Sequence, residues 1–284
     1  MKKTLVYHLY MMDNYRENIV YWVHLFCLQK YINNFDLVKI TICVDDLKRQ
    51  DLISAGYEWI SALSIEKEIQ INVVKNNEMG ESNTFGREIL DMNSDGMVFF
   101  AHSKGVTRII DGQISESILL WLIGLYYYNF NEIETIEKRF LDIPLKQDVF
   151  YGTLMFGSDN EVYDYAFGKH YSGNFYWVNM PKYRNLRAIN KIPPMQVTGR
   201  WFAETYPNMI CNFERQGGGL GTKNNVWFDM QYVQVYKMNR AEWLELFSNY
   251  GDIEEVNNFI DEIYQKISIE NIDFTNKFEW DDKV

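Results

Sequence analysis

The sequence predicts an α/β fold: a mostly parallel central sheet flanked by helices, followed by a C-terminal helical extension. Three observations predict it. Short β-rich apolar runs alternate with stretches of helical apolar spacing through residue 105, the signature of strands joined by crossover helices. The chain is 284 residues long and 47% apolar, enough for one large domain with a sizeable core. Finally, the apolar run 97–101 stops abruptly at His102-Ser103-Lys104-Gly105. That is the pattern of a buried strand whose carboxyl end opens into a polar crevice, where open α/β sheets bind ligands. Lysine is almost never buried without a partner, so Lys104 marks either an exposed loop or an anion site.

Thr4 to Tyr10 reads as the first strand. Tyr15 to Tyr31 carries Ile19, Trp22, Val23 and Phe26 at helical spacing, with Asp13 or Asn14 as N-cap. Val38 to Val44 is a second strand, stopped by Asp45-Asp46, and helical pattern returns from Leu47 to Leu63. Ile69 to Val74, a short helix over Thr84 to Met92, and Val98 to Ala101 complete the alternation. Ser115 to Phe140 reads as one long helix, and Val149 to Phe156 and Asn174 to Val178 as strands. A short helix over Arg200 to Tyr206, a glycine loop over 216–221 and a strand over Val226 to Tyr236 follow. Residues 1–236 form the main domain in this reading. Residues 237–284 form the extension, an amphipathic helix over Arg240 to Ile267 broken near Gly251, with an acidic tail from Asn271.

Bulk composition excludes several function classes. The net charge is −11, from 28 Lys+Arg against 39 Asp+Glu, and no basic run interrupts it, so nucleic acid is not expected as a partner. Cys27, Cys43 and Cys211 are far apart and form no paired-cysteine motif; they read as core residues in a reducing, cytoplasmic setting. The N-terminus lacks the apolar stretch of a signal peptide. The most apolar run, Leu119 to Phe130, is well short of the roughly 20 residues that span a bilayer. Peripheral association with the inner membrane face remains open.

Several residues could carry chemistry. Asp45 and Asp46, at the second strand's carboxyl edge, suit hydrogen bonds from a nucleoside base or ribose, or a helix N-cap. Arg87, where a glycine turn enters a helix, offers planar donors to a phosphate, or serves as a surface ion-pair partner. In His170-Tyr171-Ser172-Gly173-Asn174-Phe175-Tyr176-Trp177, hydrogen-bonding groups stand beside aromatic faces, as carbohydrate binding requires; an ordinary turn feeding an aromatic strand reads the same way. Glu204 is either a general base or the i,i+4 partner of Arg200. His8 and His24 read as structural. No P-loop, G-x-S-x-G, H-E-x-x-H or dinucleotide fingerprint is present.

The glycine turn, the Arg87 helix and the strand ending in three polar residues resemble GT-A fold glycosyltransferases, whose sheet is Rossmann-like. In that family the helix commonly carries Arg-Asn and the strand ends in Asp-x-Asp, which holds a divalent metal on the sugar-nucleotide diphosphate. Here Glu88 replaces the Asn, and His102-Ser103-Lys104 stands in place of the acidic pair. The chain is also similar to bacterial polysaccharide-biosynthesis proteins that share a His-Ser/Thr-Lys-Gly element, a His-x-x-Gly-Asn-Phe-Trp/Tyr-Trp element and a later Ala-Glu. Those elements are matched by residues 102–105, 170–177 and 203–204.

The resemblance implies a glycosyltransferase of surface-polysaccharide or capsule assembly, taking a nucleotide-sugar donor and a glycan or lipid-linked glycan acceptor. It implies Asp45, Asp46, Arg87, Ser103 and Lys104 as donor-binding residues, and Ser172, Asn174 and Trp177 as acceptor-binding residues. Glu204, His102 and His170 are the candidate bases. No metal ligand is assigned; manganese or magnesium stays open, but without Asp-x-Asp the charge of Lys104 could offset that of the diphosphate. A retired glycan- or nucleotide-binding protein on the same scaffold is the rival reading.

Overall fold

The computed structural model describes residues 1–90, 92–108, 114–142, 148–153, 155–156, 170–189, 202–212, 220–222, 227–228 and 237–269. In chain order these form β1 (Lys3–Tyr10), α1 (Ile19–Tyr31), β2 (Leu37–Val44), α2 (Gln50–Ala62), β3 (Glu68–Lys75), α3 (Glu81–Phe85), β4 (Met97–His102), α4 (Glu116–Phe130) and α5 (Ile133–Asp142). Next come β5 (Phe150–Gly152), β6 (Met155–Phe156), β7 (His170–Tyr171), β8 (Tyr176–Asn179), α6 (Met180–Ile189), α7 (Phe202–Asn212), β9 (Leu220–Thr222) and β10 (Trp227–Phe228). Two helices close the described chain, α8 (Arg240–Ser248) and α9 (Ile253–Ile269).

The main sheet runs β3-β2-β1-β4-β8-β5-β9, and β10-β6-β7 form a second, small one. β1 to β4 are mutually parallel, β8 is antiparallel to both its neighbours, and β9 pairs parallel with β5. The α/β class and the mostly parallel sheet flanked by helices are as the sequence predicts. Alternation along the strands builds two cores. Leu5, Tyr7, Leu9 and Phe99 face one cluster with α1, α2, α4, α8 and α9. Val6, Val98 and Phe100 face the other, with α3, α6 and α7.

α4 is buried on every face from Ser117 to Phe130, as a helix apolar all round must be. The extension covers it: Trp243 donates from Nε1 to Ser117 Oγ at 2.7 Å, and Tyr128 Oη donates to the Phe247 carbonyl at 3.1 Å.

Some boundaries differ from those predicted. α1 starts at Ile19 and is capped by Asn18, not by Asp13 or Asn14. The long helix breaks after Phe130 into α4 and α5, and 149–156 yields two short strands, β5 and β6. α6 was not predicted; Pro181 in its first turn is the helix-start signal that marks it. Arg200, the glycines at 217–219, most of the 226–236 segment and the tail from 271 lie outside the described residues.

Candidate functional site

The chain builds β1, β2 and β3 outward in one direction and then returns to place β4 on the other side of β1. The carboxyl ends of β1 and β4 therefore flank the switch in strand order, where such sheets hold their ligands. A cavity of about 360 Å³ opens there. Its walls are His8 and Tyr10 from β1, residues of the β3–α3 connection through Glu81, and His102 to Arg108 following β4.

Backbone and side chains together shape the mouth. Ser103 N donates to the His8 carbonyl at 2.9 Å, and Ser103 Oγ then accepts the N–H of Tyr10 at 2.9 Å. A side chain replaces the next rung of the ladder, so the strands part. The turn beyond is pinned from α1. Asn18 Nδ2 donates to the Val106 carbonyl at 2.8 Å, and His24 Nε2 donates to the Lys104 carbonyl at 2.9 Å. Gly105 has φ +88°, and a Cβ there would press on Ile118 at 3.0 Å, so glycine is required.

Lys104 is thereby held in the crevice wall. It is 7% exposed, and its ammonium lies 5.4 Å from the centroid of the Trp121 ring. Lys104 therefore does not stand on an exposed loop.

Beneath the cavity, a polar row crosses four strands at one register level: Asn72, Thr41, His8 and His102. The helix above meets it residue by residue. Thr84 Oγ1 lies 2.8 Å from His8 Nδ1, and Glu81 Oε1 lies 3.9 Å from His102 Nδ1. Arg87 donates to Thr41 Oγ1 at 2.8 Å, and Asn72 donates to Glu88 Oε1 at 3.3 Å. Burial would raise the Glu88 pKa, but hydrogen bonds from Arg87 and Lys39 hold it below the usual carboxylate range.

The three sequence elements meet around Glu81. Asn174, fully buried with φ +60°, donates from Nδ2 to Glu81 Oε1 at 3.4 Å. Gly173, with φ +69°, backs onto the Lys104 stem; a Cβ there would sit 3.6 Å from Lys104 Cγ. Ala203 N donates to Ser82 Oγ at 3.0 Å, and Tyr176 Oη to the Ala203 carbonyl at 2.8 Å. Glu204 therefore has its backbone in the first turn of α7, next to the start of α3. The side chains of Glu204, His170 and Ser172 lie outside the described residues.

A second hollow of about 400 Å³ adjoins the first across Tyr10, lined by Met11 to Asn14, Asp45, Asp46, Arg49 and Leu52. Asp45 accepts from Tyr10 Oη and from Asn76 Nδ2, both at 2.8 Å. Burial and the Asp45 carboxylate push the Tyr10 phenol above its ordinary range, so it stays a donor. Asp46 accepts from Lys48 N at 2.9 Å, the local capping alternative for this carboxylate.

Two expectations change. Trp177 does not offer a sugar platform: it is fully buried, stacked 5.6 Å from Phe35, with Nε1 bonded to the Asn129 carbonyl. β8 occupies the middle of the sheet, so both its faces are covered. Arg87 does not line the cavity, since its guanidinium is engaged with Thr41 and Glu88. Sequence reasoning missed Glu81, Arg108 and the anchoring roles of Asn18 and His24. His102, Ser103 and Lys104 at the end of β4 bring no carboxylate for a divalent cation. Lys104 brings an ammonium there, and among the described residues no three His, Cys, Asp or Glu side chains converge. No described helix is long and apolar enough to cross a membrane.

His24 supplies a pH prediction. With Nε2 donating to Lys104, its Nδ1 accepts from Tyr126 Oη at 2.6 Å, the arrangement of a neutral imidazole. Burial pushes its pKa down to about 4, against the pull of the Lys104 carbonyl. A depressed histidine favours folding above the unfolded value near 6.5 and loses that contribution as pH falls toward 4, by roughly 3 kcal/mol in all. Urea unfolding at pH 7 and pH 4.5 should show wild type losing about 2–3 kcal/mol more than His24→Gln. Parallel losses in the two proteins would reject this.

No protein-family model and no curated protein sequence matches the chain. Among solved structures it is similar to 4-diphosphocytidyl-2C-methyl-D-erythritol synthase from Anaerococcus prevotii, at 9% identity and a TM-score of 0.38, over 88% of this chain and 98% of that one. It is also similar to TarS from S. aureus, at 9% identity and a TM-score of 0.41, over 94% of this chain and 43% of that one. Against TarS residues 1–349 the values are 8% and 0.38, over 94% and 72%.

Proposed function

We propose that this chain is a glycosyltransferase that moves a sugar from a nucleoside-diphosphate sugar to a glycan acceptor during bacterial surface-polysaccharide assembly. The observation that carries the reading is the buried Lys104 in the wall of a crevice at the sheet's switch point, with Arg108 on the same wall. A departing diphosphate gathers negative charge, and fixed cations in a partly desolvated site favour that charge more than water does. The adjoining hollow, with Asp45 and Asp46, has room and acceptors for the nucleoside. The resemblance of residues 102–105, 170–177 and 203–204 to polysaccharide-biosynthesis proteins gives the acceptor class.

In this mechanism the acceptor hydroxyl attacks the anomeric carbon directly. Lys104 and Arg108 receive the charge of the leaving diphosphate, and Asp45 orients the nucleoside. Incubation with a panel of nucleoside-diphosphate sugars is the test. At least one donor should raise the thermal midpoint and release nucleoside diphosphate, and release should persist in EDTA because the place of the metal ligands holds an ammonium. Binding without release would favour the retired, binding-only protein. A panel with neither binding nor release would overturn the reading.

A further inference from the structure

We propose that Glu81 is the general base of the transfer, with His102 and Asn174 as its positioning residues. This rests on the transferase reading above and deepens it. Glu81 opens α3, 6% exposed, and lines the same cavity as Lys104. Its Oε1 accepts from Asn174 Nδ2 at 3.4 Å and faces His102 Nδ1 at 3.9 Å. A carboxylate accepts along about four lone-pair directions, so it keeps these neighbours while accepting an acceptor hydroxyl. Both neighbours are themselves fixed. Asn174 is fully buried, and His102 ends β4 with its Nε2 enclosed by protein. The imidazole thus keeps Nε2 enclosed and turns Nδ1 toward Glu81, which suits it to support the carboxylate.

The step balances without a further reactant. The acceptor O–H gives its proton to the Glu81 carboxylate as its oxygen bonds to the anomeric carbon. The bond from that carbon to the diphosphate oxygen breaks, and its electron pair leaves with the nucleoside diphosphate on the side of Lys104 and Arg108. A buried carboxylate and two cations line one cavity, as this displacement needs; Glu78, the other carboxylate of the lining, is exposed on the connection before α3.

The test separates a base from a structural carboxylate. Glu81→Gln keeps the shape of the side chain and should lower kcat for transfer by about a hundredfold or more, with the donor KM and the thermal midpoint little changed. Glu81→Ala should lose as much and be partly rescued by sodium azide, an anion that attacks without giving up a proton and yields a glycosyl azide. Wild type should gain nothing from azide. The proposal is overturned if Glu81→Gln keeps more than about a tenth of wild-type kcat, or if azide does not raise nucleoside-diphosphate release by Glu81→Ala. It is also overturned if Glu204→Gln shows the loss and the azide rescue instead. Failure of the transferase reading shows separately, in wild type alone, as absence of release from every donor.

Discussion

Replacing Lys104 by methionine is expected to lower nucleoside-diphosphate release by a hundredfold or more while leaving the fold intact. The size follows from the loss of one fixed donor at developing negative charge, typically about 10²–10³ in turnover. Methionine keeps an unbranched stem beside Gly173 and the Trp121 ring and removes only the ammonium. The carbonyl anchored by His24 and the neighbouring Val106 carbonyl belong to the backbone, so the turn survives the change. Steady-state release assays with circular dichroism on the same samples decide the matter. Turnover within a few-fold of wild type would mean that the ammonium does not meet the leaving group.

Trp243→Ala should cost about 3–5 kcal/mol, the usual range for emptying a fully buried tryptophan site. Trp243 has no exposed surface; its ring lies 5.3 Å from that of Phe247, and its N–H is bonded to Ser117 of α4. Phe247 in turn packs so closely on Gly124 that a Cβ there would overlap the ring. The helices after residue 239 thus share one core with α1 and α4. Urea unfolding followed by fluorescence and circular dichroism should show one transition, shifted to lower denaturant. A loss under about 1 kcal/mol, or a separate early transition of the C-terminal helices, would show that the extension stands apart.

The two predictions differ in how legible their residues are in sequence. Lys104 stands out because polar residues end an apolar strand, a local signal. The parallel sheet around it follows from the alternation of two periodicities through residue 105, also local, while the strand order does not. Glu81 has no such mark: its partner Asn174 is 93 residues away, and one-dimensional spacing does not carry that pairing. The cap that Asn18 makes on Val20 N is local, but the other of its two side-chain hydrogen bonds reaches Val106, 88 residues on, and spacing does not carry that anchor. Trp177 was misread although the sequence held the answer. The unbroken apolar run Phe175-Tyr176-Trp177-Val178 is the mark of a strand covered on both faces, and the polar residues before it drew attention to ligand contact instead. Arg87 follows a glycine turn as expected, but the single π-helical turn Gly86–Leu90 re-aims it toward β2, a change of pitch that residue spacing does not disclose.

Tyr10 stands as a post between two rooms of nearly equal size, tied at its tip to Asp45. A short guest fits either room and leaves the post alone. A long guest with unlike halves has to arch over the ring or pull the phenol from its carboxylate. On the transferase reading, a donor that fills both rooms meets this one aromatic side chain between its nucleoside and its diphosphate.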